Sequence, residues 1–201
     1  MTDLLPDERR DFYRIHDQVG LQYQLVEDQA LPSMQSFVAE VPDEFQLVNH
    51  LARIDADSST LLHSISDRAP EVGRYLRILN NKIESIARHI VTHQLDSEIQ
   101  MQEVTLSAGG IGFHSPLKLS MGDLVRCQMV LYPSCTGILT YGEVVRSVPL
   151  KDSDEFDIAL EYVRIQESDR DVLVRHVLQL QSNLLRLAKS EREQEASETE
   201  E

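Results

Sequence analysis

The sequence is poor in cysteine, glycine, proline and cations, and it has no tryptophan. Two cysteines, Cys127 and Cys135, can build neither a disulfide framework nor a four-cysteine zinc site, so the composition reads as a reduced, cytoplasmic protein. Eight glycines and seven prolines in 201 residues are too few for a collagenous or low-complexity chain. The longest uncharged stretches, 104 to 117 and 128 to 142, are shorter than a membrane span and are interrupted by Gly, Ser and Pro. No transmembrane helix is expected. Residues 1 to 8 lack the basic region and apolar run of a secretory signal, so no export is expected either. Only 19 Lys and Arg stand against 34 Asp and Glu, a net charge of −15. That sign excludes a partner that is a nucleic-acid polymer or an anionic bilayer, both of which are bound by clustered cations.

What is present divides the chain into three blocks and a tail. Residues 1 to 41 hold a basic, aromatic arm and a first strand, in which Val19, Leu21, Tyr23 and Leu25 alternate with Gln and Gly. Residues 42 to 96 change period to that of a helix, with a break near Pro70. In the second arm Val72, Leu76, Leu79, Ile83, Ile86 and Ile90 repeat at spacings of four and three, a heptad seam. The first arm repeats the pattern in Leu47, Leu51, Ile54, Leu61 and Ile65, with Ser58 as one polar lapse. Asp67 as N-cap would place Pro70 in the first turn of the second helix. Such a helix runs roughly 40 Å at 1.5 Å per residue, longer than a small barrel is wide, so part of the seam overhangs and calls for a second copy of the chain.

Residues 97 to 188 return to short strands over 98–106, 110–114, 123–132, 136–148 and 155–163, with Gly, Pro, Ser and Asp between them. Cys127 falls in phase with Val125 and Met129 and reads as a buried small hydrophobe. A capping-box-like start at Ser168 to Asp171 opens a closing helix. With the first strand this makes an α+β protein: a small antiparallel six-stranded barrel, a helical insertion after its first strand and a C-terminal helix. The tail, 189 to 201, holds two cations and six acids and is expected to be disordered.

The chain shows no nucleophile elbow, H-E-x-x-H, Walker lysine loop or C-x-x-C, so no catalytic residue is assigned and no enzyme is expected. His89 and His93 lie four apart, but two ligands do not define a metal site, and none is assigned. No cofactor is expected. Gly109, Gly110 and Gly112 lack the spacing of a dinucleotide loop and read as a tight strand turn. Against the overall charge, residues 9 to 14 (Arg9, Arg10, Asp11, Phe12, Tyr13, Arg14) form an island of net +2, a local anion site.

Arg10 to Arg14 is an R-x-x-x-R, and Thr105-Leu106-Ser107-Ala108-Gly109-Gly110 resembles a (D/N)-x-S-x-x-G turn with Thr105 in the acidic or amide position. In that order the two motifs resemble the PilZ domain, and the long helical insertion resembles its atypical subclass, whose members oligomerise through such helices. The resemblance implies a receptor for cyclic di-GMP, held by Arg9, Arg10, Arg14, Thr105, Ser107, Gly109 and Gly110. It also implies a homo-oligomer, dimer or tetramer, joined through the helical insertion, and a downstream protein partner that reads the liganded surface. Arginine suits the ligand physically, because its fork binds phosphate oxygens or the O6 and N7 edge of guanine bidentately. The alternative is a PilZ scaffold that oligomerises and binds proteins without cyclic di-GMP.

Overall fold

A computed structural model describes residues 14–94, 99–151 and 153–198, with the backbone alone at 88, 90–94, 188 and 191–198. Six strands, β1 (Ile15–Leu25), β2 (Gln100–Leu106), β3 (Gly110–Ser115), β4 (Leu124–Leu131), β5 (Thr136–Pro149) and β6 (Phe156–Ile165), close an antiparallel barrel. Its strand order is β1-β2-β3-β6-β5-β4. Three helices, α1 (Met34–Ala39), α2 (Asp43–Arg68) and α3 (Pro70–Gln94), lie between β1 and β2, and α4 (Glu167–Glu198) follows β6. The expected strands are all present, with β1 starting four residues before Val19, the first residue of the alternation.

The chain divides into two compact units. One comprises Gln18–Gln102 and Asp123–Tyr141 and contains the helical insertion. Here β1 pairs with β4 in the register Gly20↔Val130 to Leu25↔Val125. The strand β4 is buried on both faces at its C-terminal end, because the outward Val130 is covered by Phe45, Val48 and Ala87 of the helices. The helix α2 docks by a polar clamp: Asn49 donates to the Gly137 carbonyl at 2.7 Å and accepts from its amide at 2.9 Å, as a neighbouring strand would. Glycine is required at 137, since a Cβ there would stand 2.2 Å from the Phe45 ring.

The short helix α1 was not expected from sequence. Ser33 caps it, its hydroxyl accepting from the Ser36 amide, and Phe37 packs edge-to-face on Tyr141 at 5.9 Å between ring centroids. Tyr141 also donates to Glu40 at 2.5 Å, and Arg126 lies 3.5 Å from the same carboxylate. Burial, reinforced by the Glu40 carboxylate, pushes the Tyr141 phenol up to about 12.

Between α2 and α3 only Ala69 intervenes, in extended backbone. The second helix therefore starts at Pro70 itself, not at a cap on Asp67, and proline occupies the position where a missing N–H costs nothing. The helices approach closely at Gly73, whose Cβ would meet Ser66 at 2.2 Å, and Arg77 donates to the Ser66 hydroxyl at 3.1 Å. The heptad seam faces α2 only in part, with Ile83 lining a cavity beside Val48, Leu51 and Ala52 of that helix. Val72, Ile83 and Ile86 are exposed and Leu76 and Leu79 half-buried, while Gly73 and Ala87 are buried; the side chain of Ile90 lies outside the described residues. Leu47, Ile54 and Leu61 of α2 are exposed as well.

The other unit comprises Met1–Asp17, Glu103–Gly122 and Gly142–Glu201. In it β3 pairs with β2 (Thr105↔Gly112) and with β6 (Gly112↔Ala159). Val104, Leu106, Ile111, Phe113, Ile158, Leu160, Leu173 and Val177 are among its buried apolar residues. The helix α4 starts one residue before Ser168, so Ser168 lies in the first turn and bonds Asp169 at 3.5 Å instead of capping the end. The acidic tail, expected to be disordered, is helical as far as Glu198; residues 199 to 201 lie outside the described residues. Glu, Arg, Gln and Ala, which dominate it, have high helix propensity and extend a helix already nucleated by packing.

Candidate functional site

The β2–β3 turn is built around the Ser107 hydroxyl. It accepts from the amides of Gly109 at 3.3 Å and Gly110 at 3.1 Å and lies 3.1 Å from the Gly110 carbonyl. The Ser107 amide donates to the same carbonyl at 3.0 Å. Ser107 is buried, so its hydroxyl shapes the turn instead of standing open to solvent. Two further bonds fix the turn from outside: the Tyr162 amide donates to Gly109 O at 2.9 Å, and the Arg170 guanidinium of α4 donates to Ala108 O at 2.9 Å. What demands glycine at 110 is the adjoining strand, because a Cβ there would meet Leu160 O at 2.2 Å.

Thr105 stands on β2 between the inward Val104 and Leu106 and is half-exposed on the outer barrel face, opposite Gly112. Arg14 is exposed, one residue before β1. Three residues further on, Asp17 is bonded to His176 of α4, with Nε2 and Oδ2 2.7 Å apart. The helix α4 thus holds both the root of the arginine arm, through His176, and the glycine turn, through Arg170. Neither tie was visible in the sequence, because nothing in the spacing marks an Arg or His of a closing helix as facing a turn 62 residues away or a strand 159 residues away. Arg9 and Arg10 lie outside the described residues.

The remaining chemistry is sparse. Cys127 is fully buried and burial pushes its thiol up to about 12, which leaves no thiolate for nucleophilic attack. Cys135 is buried too. No group of three His, Cys, Asp or Glu is placed to hold a metal ion among the described residues. No helix among them is long and apolar enough to cross a membrane.

The site thus consists of a closed six-stranded barrel with a serine-glycine turn at one edge and a helix packed on that turn. Residues 85–179 match the family model of the PilZ domain. The match begins after the arginine arm and first strand. Among solved structures, a tetrameric PilZ domain from Xanthomonas campestris, a pathogenic protein self-assembled through a helical bundle, is similar in fold. It is 16% identical with a TM-score of 0.56, covering 87% of this chain and 91% of that one. An inhibitor of motility from Bacillus subtilis, also 16% identical, covers 87% of this chain and 52% of its own at a TM-score of 0.46. No curated protein matches the chain.

Proposed function

We propose that this protein is a non-enzymatic receptor for cyclic di-GMP that self-associates through the α2–α3 hairpin. The reading rests on the Ser107–Gly110 turn, held rigid from inside by its own hydroxyl and from outside by Tyr162 and Arg170, in the same compact unit as Arg14. A prearranged turn lowers the ordering cost of binding, and the arginine pair supplies charge-assisted forks for the phosphates and guanine edges. Self-association is supported by the exposed apolar stripes of α2 and α3 and by the helical-bundle tetramer of the Xanthomonas protein.

A second reading, the ligand-free scaffold, is favoured by one observation: Thr105 replaces the acidic or amide acceptor, and the Ser107 hydroxyl is already engaged in its turn. Calorimetric titration with cyclic di-GMP separates the two. The receptor binds, and Arg10→Ala and Arg14→Ala each lose about 1 to 3 kcal/mol of binding free energy, as deletion of a charge-assisted hydrogen bond does. The absence of heat with the unmodified protein at tens of micromolar would establish the scaffold instead.

A further inference from the structure

Halfway along α4 its burial ends. Leu173 and Val177 are buried and Leu180 is half-buried, and the same row continues at spacings of four and three with Leu184 and Leu187, both exposed. Leu178 and Leu185, 56% and 65% exposed, stand beside that row. Every described side chain from Ser182 to Ser190 is exposed, yet the backbone stays helical to Glu198. The last part of α4, residues 182 to 198, runs roughly 25 Å at 1.5 Å per residue and carries a leucine row that no described residue covers. Helices owe most of their stability to packing of such a row, and an uncovered one of this size marks an interaction surface.

What would cover it is written in the charge of the same helix. As a whole α4 holds five Arg and Lys against seven Asp and Glu, a net −2, but the two signs are sorted along it. Residues 172 to 190 contain Arg175, Arg186 and Lys189 and no acid, a net +3. Residues 191 to 198 contain four Glu and one Arg, a net −3. Two such helices laid side by side in one direction would set like charge against like. Laid in opposite directions, the acidic end of each meets the cationic stretch of the other, with Leu184, Leu185 and Leu187 between them. Opposite charges flanking an apolar row fix partner and direction as they do in coiled coils. An anionic bilayer, which a cationic leucine face also fits, is opposed by the four Glu that follow and by the net charge of −15.

We propose that the uncovered half of α4 is a second self-association surface, which pairs antiparallel with α4 of another copy of the chain. It rests neither on the receptor reading nor on the hairpin contact. The same patch serves both partners, as a two-fold interface requires. A few leucines a side bury less than a standard interface, so this is the weaker of the two contacts and forms only as concentration rises. Its response to salt is opposite to that of an apolar contact, because part of its attraction is between surface charges. Its place in the molecule is to join hairpin-held assemblies into larger ones.

The test is sedimentation velocity on the full chain carrying Leu61→Asp and Ile86→Asp, which removes the hairpin contact. Between about 5 and about 500 μM this variant passes from monomer to dimer, the range expected of a small interface. Adding Leu184→Asp and Leu187→Asp leaves monomer throughout, while the melting of the barrel is unchanged because both side chains are exposed. Raising sodium chloride from about 50 to about 500 mM weakens the dimer about threefold or more. Direction is read from charge. Glu193→Lys with Glu195→Lys weakens the dimer, and adding Arg175→Glu and Arg186→Glu restores it, since the reversed end then meets a reversed stretch. A dimer strengthened by the two Glu→Lys changes is parallel and overturns the proposal, as does a monomer up to about 500 μM. In the chain with its hairpin intact, Leu184→Asp with Leu187→Asp removes the largest species and leaves the hairpin assembly; an unchanged distribution overturns the proposal independently of the hairpin variants. Sedimentation of the monomer with phosphatidylglycerol vesicles, abolished by the same two changes, would assign the leucine row to a bilayer instead.

Discussion

At the scale of single residues, the same amino acid carries different messages at different positions. The run Gly109-Gly110-Ile111-Gly112 was legible as a strand turn, and Ser107 as part of it, because glycine and serine have few uses between two short apolar runs. Which glycine serves packing was not legible, since at Gly110 it depends on Leu160, a residue of strand β6 more than 30 positions away. Asp169 shows the same limit. Read as part of a capping box, it is buried in the first turn of α4, and burial raises its carboxyl to about 6 despite the Ser168 hydroxyl bond, which acts in the opposite direction. The folded state therefore holds this proton more tightly than the unfolded chain does. The resulting stability is complete below about pH 4 and is lost as the pH rises through about 6. Asp169→Asn is neutral throughout, so it is expected to raise stability at about pH 7.5 by about 1 to 3 kcal/mol and to change little at about pH 3.5, read from urea midpoints at both values. Equal shifts at the two values would show that the carboxyl is ionised alike in both states.

Among the elements, those with a strict period were the legible ones. The six strands follow from alternation and turn residues, and the two long helices follow from apolar spacings of three and four. The helix α1 has only six residues, too few to show a period, and its role depends on Phe37 finding Tyr141 about a hundred residues later. The direction of the heptad seam was also beyond the sequence. A seam predicts that something covers it; here α2 reaches only part of it, at Ile83, and approaches most closely at the small residue Gly73, because close helix approach favours small side chains where the connection is a single residue. Beside the apolar contact of Phe45 and Val48 with Val130, part of what ties α2 to the barrel is polar, and that part is silent in any hydrophobic pattern. Asn49 makes two reciprocal bonds with Gly137, so Asn49→Ala removes both and leaves a half-buried amide and carbonyl without that partner. The expected cost is about 1 to 3 kcal/mol in chemical denaturation. Faster amide exchange should appear in α2 and at the start of β5, while β3 and β6 keep wild-type protection. A uniform loss of protection would mean that the clamp contributes to global stability and does not act locally.

For the whole molecule, the net charge of −15 acquires a distribution. The α2–α3 hairpin, residues 43 to 94, holds six Arg and Lys against seven Asp and Glu, a net −1, so the rest of the chain carries −14. The helices that expose Leu61 and Ile86 are thus the part of the molecule least opposed by its own field. Association there would be driven by apolar burial, with repulsion coming from the acidic remainder at longer range, where salt screens it over about 10 Å at 0.1 M. Raising sodium chloride from about 50 to about 500 mM is therefore expected to leave the dissociation constant unchanged or lower it, measured by sedimentation equilibrium. Paired substitution Leu61→Asp and Ile86→Asp places two charges on the stripe and should yield monomer, with unaltered melting of the barrel because both side chains are exposed in the single chain. Dissociation by salt would instead identify an interface held by ion pairs. A monomer at every salt concentration, with or without the substitutions, would remove the hairpin's role in assembly altogether.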